Sequence, residues 1–500
     1  MTSLIVILSV LLLLTIVLQI GRINEITAGL RGAEETEVKN ANSNGIWLLI
    51  YGAIFLIACV VSARYYVPYM MGYGPHEAAS AHGGLIDNLF NVTLIFTGIV
   101  FVICHIALFW FSYKNRYRTG RKVIFMPENH RLEIIWTAIP ALVMTILVVQ
   151  GLVTWNKVMS DVKDGEDFME IEATAWQFAW NLRYPGTDGK LGVKDFRLIK
   201  PGVNELGQDW NDVRNHDDFN SDELVLPKGK KIRVRITARD VLHNFYLPHF
   251  RVKMDAVPGI PTYFIFTPIK TTEEYRQELR KYPEYNIPSD PTDPASPPKW
   301  QAFNYELACA ELCGKGHYSM RRVVKIVSPE EFEIWNKKQK SYYLSSIRNT
   351  IEDPFKNKNV KVELESKARD LEANLVKALD KAGTSENRTL VLDNIYFETG
   401  SANLNNDSEY ALKVISNTFA KYPNLKVEIS GHSDNVGNPA SNLSLSQERA
   451  NSVKTYLTAN GAQSGNLTSI GFGQNKPIAD NSTEEGRGKN RRIEFKILSF

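Results

Sequence analysis

The segment Cys309–Met320, with the sequence CAELCGKGHYSM, decides how the rest of this chain is interpreted. It brings two thiols, an imidazole and a thioether into one short stretch. This mixture favours copper over zinc, because structural zinc sites are closed with Cys and His and Met is a poor zinc ligand. His243 can supply a second imidazole, since it lies just beyond the strand-like alternation of Lys231–Ile236.

Two copper ions can share such a set of ligands. Two bridging thiolates, two histidines, one methionine and a backbone carbonyl would hold them at close range in a rigid shell. Charge shared over two metals needs little rearrangement when an electron arrives or leaves, so the predicted site suits electron transfer. The alternative for the cysteines is a structural disulfide, as is common in oxidising compartments. A disulfide would have no need of His317, Met320 and His243.

The pattern His243, then Cys309-x-Glu311-x-Cys313-x-x-x-His317-x-x-Met320, resembles the dinuclear copper A motif of cytochrome c oxidase subunit II. Val241–His243 and Lys253–Gly259 are similar to the family's segments around its first histidine. The resemblance implies a copper A centre held by His243, Cys309, Cys313, His317 and Met320. It also implies a magnesium ion bound through Glu311 at the interface with the oxidase's subunit I, with Asp255 on the same side.

Length and composition predict a membrane protein with several domains. The chain has 500 residues, and its first third is apolar whereas the remainder is polar. Four apolar stretches, roughly 3–20, 45–63, 89–110 and 134–155, each approach the ~20 residues that a membrane helix needs. The first lacks a basic n-region and a small-residue cleavage site, so we predict a retained helix rather than a signal peptide.

The charges of the loops predict the orientation in the membrane. The loop 114–122 is strongly basic and should face the cytoplasm, whereas the loop 73–88 carries no Lys or Arg. Everything after residue 155 should therefore lie outside the cytoplasm. We predict a multi-pass protein of the bacterial inner membrane, with its later domains in the periplasm. A net charge of +3, without basic–aromatic interleaving, argues against nucleic acid as a ligand.

The last two apolar stretches resemble the helical hairpin of subunit II. Glu133–Pro140, with the sequence EIIWTAIP, matches the opening of the family's second helix. The resemblance implies that Glu133 lies near the entrance of a proton pathway into subunit I. The alternative is an interfacial carboxylate that caps the start of a helix, with Trp136 as an anchor at the membrane surface. The first two apolar stretches are additional to the family's two-helix pattern.

Residues 162–327 alternate in short runs between Gly and Pro turns, which predicts an all-β sandwich; the resemblance implies a cupredoxin-like one. The segment Ala173–Trp180 is similar to the family's aromatic segment over the copper centre. In the alignment on Gln177, the family's electron-accepting tryptophan falls on Phe178, and Trp180 retains the second aromatic position. We predict that Phe178 or Trp176 lies on the surface that receives electrons. Trp180 fits a place in the sandwich core equally well.

Two segments, 185–223 and 271–299, are predicted insertions into this sandwich. The first is rich in acidic side chains, which could steer a basic donor protein by long-range attraction. The alternative, which the composition favours, is a solvated acidic loop.

Residues 328–388 are predicted to connect the sandwich to a further domain. Apolar residues recur there at helical spacing, with charge on the other faces: Leu364, Ala368, Leu371, Leu375 and Ala378. This pattern predicts a helix over 360–381 that acts as a stiff spacer or pairs in a short coiled coil.

After Thr389, alternating strands and helices predict an α/β domain, in which one helix is expected to start at a capping box of Ser444 and Gln447. The motifs Gly431–Gly437, Asn442, Leu445-Ser446, Arg449-Ala450 and Asn490–Glu494 resemble the OmpA-like peptidoglycan-binding domain. The family's ligand carries an ammonium and a carboxylate on its diamino acid. The resemblance implies that Asp434 pairs the ammonium and Arg449 grips the carboxylate. The structural alternative is that Asp434 caps a turn and forms a salt bridge with Arg449.

The predicted fold class is multidomain, with four transmembrane helices, a cupredoxin-like β-sandwich, a helical linker and an α/β OmpA-like domain. The predicted domains are two extra helices in 1–70, the subunit II hairpin in 71–160, the copper A domain in 161–328, the linker in 329–388 and the peptidoglycan-binding domain in 389–500.

The predicted function is that of the electron-accepting subunit of a haem-copper terminal oxidase. It would take electrons from a cytochrome c-type donor and pass them to haem in subunit I, for oxygen reduction coupled to proton translocation. The last domain would anchor the complex to peptidoglycan. The altered tryptophan and the extra helices would suit a donor held in a supercomplex with the oxidase subunits.

Other functions explain fewer of these residues. A membrane-tethered copper chaperone explains the thiol pair but not Glu133–Pro140, and a structural envelope tether ignores the copper ligands. Nitrous oxide reductase needs a histidine-rich second copper cluster, whereas the nine histidines here are scattered. A quinol oxidase subunit would share the fold but lack the ligands.

Overall fold

The computed structural model describes residues 2–71, 74–122, 124–356, 358–380 and 388–500. The chain divides into two compact units. Unit 1 comprises Met1–Tyr184 and Ser221–Gln339, and unit 2 comprises Pro185–Asn220 and Lys340–Phe500. Residue 73, where the predicted outer loop begins, and residues 381–387 at the end of the predicted linker lie outside the described residues.

Unit 1 begins with four long helices: α1 (Thr2–Arg31), α2 (Ala33–Met71), α3 (Gly83–Lys114) and α4 (His130–Val158). Among the described residues, these four are long and apolar enough to cross a membrane, which confirms the predicted spans. Gly32 separates α1 from α2 with a φ of +92°, a conformation that suits glycine. Beside this turn the two helices are joined by polar side chains, since Asn40 Nδ2 donates to Asn24 Oδ1 at 3.2 Å.

The helix α2 packs closely against α3. Gly52 on α2 lies under the ring of Phe109, where an added Cβ would come within 2.5 Å of a ring carbon. Tyr51 meets the same ring edge-on, with the ring centroids 5.9 Å apart. The additional N-terminal helices are therefore attached to the first helix of the hairpin through α2.

The rest of unit 1 contains two β-sheets and short helices. Its elements are β1 (Phe168–Trp176), β2 (Ala179–Tyr184), β3 (Phe219–Ser221), β4 (Leu224–Pro227), β5 (Lys231–Ala238), β6 (His243–Leu247), β7 (Val252–Ala256), β8 (Thr262–Phe266), α5 (Thr272–Leu279), α6 (Lys299–Ala302), β9 (Tyr305–Cys309), β10 (Arg321–Val327) and α7 (Pro329–Lys337). One sheet has the order β3-β2-β1-β5-β8, with β3 at the boundary of the units, and the other has the order β4-β10-β9-β6-β7. Every second residue of β5 is buried, as a strand with one face in a core requires. This part of the chain is therefore of the predicted β-sandwich type.

The second sheet brings the two ligand segments together. The strand β6 begins at His243 and β9 ends at Cys309. These strands pair antiparallel, with Phe245 opposite Cys309. The loop 310–320 then leads from β9 into β10, so the predicted ligands gather at one end of this sheet.

Arg251 ties the start of α3 to the β part of unit 1. Its Nε donates to Asp87 Oδ1 at 2.7 Å, and its Nη2 donates to the carbonyl oxygen of His76 at 2.8 Å. A third bond runs from Nη1 to the carbonyl oxygen of Pro248 at 2.9 Å and holds the guanidinium against the β part. Backbone bonds such as that from the Ala79 N–H to the His249 carbonyl oxygen at 2.7 Å hold the same segment, so Arg251 is one of several contacts that fix the hairpin against the sheets.

In unit 2, the first predicted insertion packs against the segment that follows Lys340. Trp210 of the insertion shares a core with later residues, namely Tyr343, Ile347, Val360 and Val362. Asp218 is fully buried, and its Oδ2 accepts from the Gly192 N–H at 3.1 Å. The expectation of a solvated acidic loop is wrong for Asp218, because its side chain is fully buried where the insertion meets the segment after Lys340, whose Tyr342 N–H donates to the Asp218 carbonyl oxygen at 3.0 Å.

The remainder of unit 2 is an α/β domain with one long helix before it. Its elements are α8 (Lys361–Asp380), β11 (Thr389–Leu392), α9 (Glu409–Lys421), β12 (Lys426–His432), α10 (Pro439–Ala459), β13 (Leu467–Gly473), α11 (Glu484–Asn490) and β14 (Ile493–Ser499). The sheet has the order β11-β14-β12-β13. The expectation that a helix starts at Ser444 is wrong, because Asn438 caps α10 and Pro439 occupies its first turn.

The helix α8 has the predicted apolar face, since all five residues that define it are buried: Leu364, Ala368, Leu371, Leu375 and Ala378. Leu371, Leu375 and Ala378 belong to the same core as Phe419 of α9 and Val427 of β12. The expectation of a stiff spacer is therefore wrong for residues 371–379, because this part of the apolar face of α8 packs into the core of the domain that follows it.

Candidate metal centre

Three side chains of the ligand loop surround the thiol of Cys313. Its Sγ lies 3.9 Å from the Sγ of Cys309, 3.5 Å from Nδ1 of His317 and 3.4 Å from Sδ of Met320. Both thiols are free and buried, and Met320 is buried as well. The loop therefore turns its sulfur atoms inward and away from solvent.

Cys309 makes the remaining contacts of the cluster. Its Sγ lies 3.9 Å from Nδ1 of His243 and 3.2 Å from the backbone carbonyl oxygen of Glu311. Among the described residues, His243, Cys309 and Cys313 form a group whose ligand atoms all lie within 4.8 Å of one another. All six residues predicted as ligands come together here, with Glu311 contributing its backbone oxygen.

The chemistry of this donor set fits a dinuclear copper centre. Two thiols lie between two imidazole nitrogens, and a thioether and a carbonyl oxygen complete the cluster. Soft sulfur and imidazole ligands select copper, and a methionine serves as a weak ligand in copper electron-transfer sites.

The thiol of Cys313 resists deprotonation in the metal-free chain. Burial and the neighbouring Cys309 raise the pKa of the Cys313 thiol to about 11. The metal-free Cys313 thiol therefore stays protonated at neutral pH, and copper binding has to displace its proton.

Asp240 holds the buried imidazole of His243 from the side opposite to the thiols. Its Oδ1 lies 2.9 Å from Nε2 of His243, and its Oδ2 accepts from the backbone N–H of Gln177 at 2.7 Å. Partial burial alone would raise the pKa of Asp240, but these donors and the Val241 N–H hold it below its usual value.

A second cluster of charged groups lies in the α/β domain. Asp434 Oδ2 pairs with Arg491 Nη1 at 2.7 Å, and Asp434 Oδ1 accepts from the Val436 N–H at 3.1 Å. Arg449 Nε donates instead to the carbonyl of Ser401 at 3.0 Å. The pKa of Arg449 is lowered by burial and by nearby Arg491, with Asp434 acting in the opposite sense. Asp434 thus caps a turn as the structural alternative requires, but its salt-bridge partner is Arg491 rather than Arg449.

Comparisons with known proteins agree with the order of these sites along the chain. Residues 68–153 match the transmembrane domain of cytochrome c oxidase subunit II, and residues 169–275 match its periplasmic domain. The alternative cytochrome c oxidase subunit 2 of Bradyrhizobium diazoefficiens is 32% identical over 271 residues, which are 54% of this chain and 85% of that protein. The chain belongs to the cytochrome c oxidase subunit II family. It is therefore a component of a respiratory oxidase, and the family implies copper.

Further relatives extend the comparison of this subunit II chain. The cytochrome c oxidase subunit 2 of Thermostichus vulcanus is 27% identical over 330 residues, covering 62% of this chain and 89% of the relative. The solved periplasmic domain of subunit II from Bradyrhizobium japonicum is 26% identical, covers 35% of this chain and 95% of that chain, and gives a TM-score of 0.22.

The final part of the chain matches a different family. Residues 396–491 match the OmpA family. Outer membrane porin F of Pseudomonas fluorescens is 42% identical over 86 residues, which are 17% of this chain and 26% of the porin. This subunit II chain therefore carries an OmpA-like domain after its oxidase part.

The aromatic residues of the subunit occupy three different environments. Phe178 is half-buried and lies against Gly314 and Gly316 of the ligand loop. Trp176 is also half-buried, and the guanidinium of Arg239 lies 5.4 Å from its ring centroid. Trp180 is 1% exposed, with its ring centroid 6.4 Å from that of His243. Trp180 thus lies in the core beside a ligand, whereas the other two reach the surface.

Glu133 lies in the first turn of α4, far along the chain from the residues of the metal cluster. Its Oε1 accepts from the Asn129 N–H at 3.3 Å, and its Oε2 lies 3.2 Å from Nδ1 of His130. The Asn129 side chain accepts from the Leu132 N–H, so Asn129 and Glu133 together cap the start of the helix. Glu133 therefore caps the helix, and 44% of its side chain remains exposed.

Three residues of these sites were not anticipated from the sequence. Asp240 stands three positions before His243, directly before the segment Val241–His243 that the family resemblance covers. In the sequence, Gln177 indicates only how the aromatic segment aligns with the family. In the structure, its Nε2 donates to the Cys313 carbonyl oxygen at 2.7 Å. Arg491 lies inside the quoted Asn490–Glu494 motif, yet only the structure identifies it as the partner of Asp434.

Proposed function

We propose that this chain is the electron-accepting subunit of a haem-copper oxidase in the bacterial inner membrane, with both later domains in the periplasm. The observation that carries the proposal is the convergence of two histidines, two thiols and a methionine in one buried cluster. When bound, copper A supplies a centre that exchanges single electrons with little structural rearrangement. It would lie at one end of a cupredoxin-like sandwich in the predicted domain 161–328.

The residues around the centre would have separate tasks. Cys309, Cys313, His243 and His317 would hold the two ions through their thiolates and imidazole nitrogens. Met320 and the Glu311 carbonyl would be weak ligands that tune the site rather than build it. The buried sulfur atoms would exclude water and keep the ligands in one geometry during electron transfer.

Electrons would enter from a cytochrome c-type donor through Phe178 or Trp176. Both side chains are half-buried, and Phe178 touches the ligand loop directly. Stopped-flow reduction by the native donor tests this path with the variants Phe178→Ala and Trp176→Ala. We expect slower reduction in at least one variant that still binds copper. Unchanged rates in both would refute the path, and a donor that co-purifies in mild detergent would support a supercomplex.

Electrons would leave toward haem in subunit I. Asn244 and Asp255 line a cavity of about 630 Å³ beside the start of α3 and the end of α4. The Asn244 side chain is 2% exposed, and its Oδ1 has no hydrogen-bond partner among the described residues. A backbone N–H of subunit I would satisfy this buried acceptor. The Glu311 carboxylate would hold a magnesium ion at the same interface.

Metal analysis of the purified full chain tests the copper proposal. We expect two copper ions per chain, and their loss in the variant Cys313→Ser. The matched control is Cys104→Ser, because Cys104 lies on α3 outside the cluster. A single zinc ion per chain, or a Cys309–Cys313 disulfide without copper, would contradict the proposal.

The OmpA-like domain would anchor the oxidase to peptidoglycan. The support is the cluster of Asp434, Arg449 and Arg491, whose opposite charges suit the ammonium and the carboxylate of a diamino acid. Asp434 already pairs with Arg491 at 2.7 Å, so the pair would have to open for Asp434 to bind the ammonium of the ligand.

Pull-down on purified peptidoglycan tests the anchor. The fragment should start at Lys361, because α8 contributes to the core of this domain. We expect the unchanged fragment to bind. The Asp434→Ala and Arg449→Ala variants should bind more weakly, each losing roughly 2–5 kcal/mol of binding free energy. The control variant is Asp480→Ala, an exposed carboxylate of the same domain. Equal binding by all four fragments, or by none, would refute the anchor and leave the copper proposal intact.

A further inference from the structure

Asp240 connects the segments that surround the predicted copper ligands. Its Oδ1 lies 2.9 Å from Nε2 of His243 and also accepts from the Val241 N–H at 2.7 Å. An ionised carboxylate only accepts hydrogen bonds, so Nε2 of His243 carries the proton. The lone pair of the neutral imidazole then lies on Nδ1, the atom that faces Cys309 at 3.9 Å.

The same carboxylate reaches the segment that bears the exposed aromatic residues. Asp240 Oδ2 accepts from the backbone N–H of Gln177, which lies between Trp176 and Phe178. The side-chain amide of Gln177 donates onward to the carbonyl of Cys313 at 2.7 Å. A continuous chain of hydrogen bonds therefore runs from one predicted ligand, His243, through Asp240 and Gln177 to a second, Cys313.

We propose that Asp240 is a positioning residue that fixes the tautomer and orientation of His243 and ties the aromatic segment to the ligand loop. This inference rests on the proposed copper function. The His243 side chain is 0% exposed, so water cannot replace Asp240 as the acceptor for Nε2. A carboxylate on the far nitrogen of a ligating histidine raises its basicity and holds its ring, which strengthens metal binding.

A second role for Asp240 has to be distinguished from this one. Its side chain is 33% exposed, so its charge could attract a basic donor protein. Loss of attraction alone would change the salt dependence of donor reduction and leave the copper centre as it is. Loss of positioning would change the copper centre even when no donor is present.

The experiment compares copper-loaded full chains in detergent with Asp240→Ala, Asp240→Asn and the control Asp167→Asn. Asp167 is an exposed carboxylate that pairs with Lys230 instead. Copper affinity is measured by competition with a chelator, and electron–nuclear double resonance gives the nitrogen couplings of the histidines. We expect Asp240→Ala to lower the affinity by about 10–100-fold and to alter one histidine coupling. Asp240→Asn retains the size but replaces one of the two accepting oxygens by an NH2 donor, so it still breaks the network and weakens the hold on His243 if the alanine variant does not fold.

Gln177→Ala separates the two halves of the network. It removes the bond to the Cys313 carbonyl but leaves the bond between Asp240 and His243 in place, so the altered histidine coupling expected for Asp240→Ala should be absent. Affinity and couplings that are unchanged in both Asp240 variants would overturn the inference, as would the same altered histidine coupling in Gln177→Ala. If the unchanged chain binds no copper, the proposed function fails instead.

Discussion

The ring of Phe178 rests on Gly316, where an added Cβ would come within 2.4 Å of a ring carbon. Gly314 faces the same ring, with an added Cβ 3.1 Å from two of its carbons. The glycines on either side of Lys315 therefore allow the aromatic segment to lie directly on the ligand loop. This contact places a half-buried aromatic ring next to the proposed copper ligands.

A methyl group at residue 316 should disturb this contact. We expect Gly316→Ala to destabilise the copper-loaded chain by roughly 1–3 kcal/mol, because the ring of Phe178 has to move. Thermal unfolding measures the effect, with Gly84→Ala as the control, since an added Cβ there has nothing within 4 Å. The double variant Gly316→Ala, Phe178→Ala should lose less than the two single variants together. Strict additivity would show that the two residues do not press on each other.

Replacement of the thioether should tune the centre without destroying it. Met320 Sδ lies 3.4 Å from Cys313 Sγ, at the edge of the cluster rather than between the thiols. We expect Met320→Leu to retain both copper ions and to shift their reduction potential, since a weak ligand adjusts the site. Redox titration of the purified chain measures the shift. Complete loss of copper in this variant would mean that Met320 builds the centre.

The residues of the candidate copper site could be brought together from the sequence because they stand in one short loop plus a single histidine. The connections between them could not, since Asp240 and Gln177 belong to separate segments that only the fold brings together. Likewise, the spacing of Leu371 and Leu375 predicted a helix but not its partner, because a periodic face does not say what covers it. The partner of Asp434 was missed for the same reason, since two arginines of the motifs compete for one carboxylate.

Neutralising Glu133 should separate proton movement from electron movement. The carboxylate caps α4 and lies beside His130, and Gln can still accept the bond from the Asn129 N–H. We therefore expect Glu133→Gln to fold normally, to leave copper reduction unchanged and to slow proton-coupled steps of the assembled oxidase. His130→Gln is a matched control for the loss of the neighbouring imidazole. An equal loss of copper reduction and proton uptake would point to a folding defect instead.

The OmpA-like domain should lose stability in acid because of one buried histidine. Burial and the nearby Arg492 lower the pKa of His432 to about 4, from its usual 6.5. The unfolded chain binds this proton more readily, so the stabilisation is complete above pH 6.5 and is lost as pH falls through 4. We expect the fragment from Lys361 to lose roughly 2–3 kcal/mol between these limits through His432.

Chemical unfolding at several pH values measures this loss, with His432→Phe as the comparison. The phenyl ring can keep the stacking on Phe472, whose centroid lies 5.4 Å from that of His432. The free energy of unfolding of this variant should fall less between pH 6.5 and 4. Parallel pH profiles for the two fragments would show that His432 is not the group that titrates.

The electron paramagnetic resonance spectrum of the copper-loaded full chain tests the central claim most directly. If Cys309 and Cys313 bridge two ions, one unpaired electron should couple equally to both copper nuclei, and Cys313→Ser should abolish this spectrum. A spectrum with coupling to a single copper nucleus, or a silent chain that holds zinc, would contradict the account.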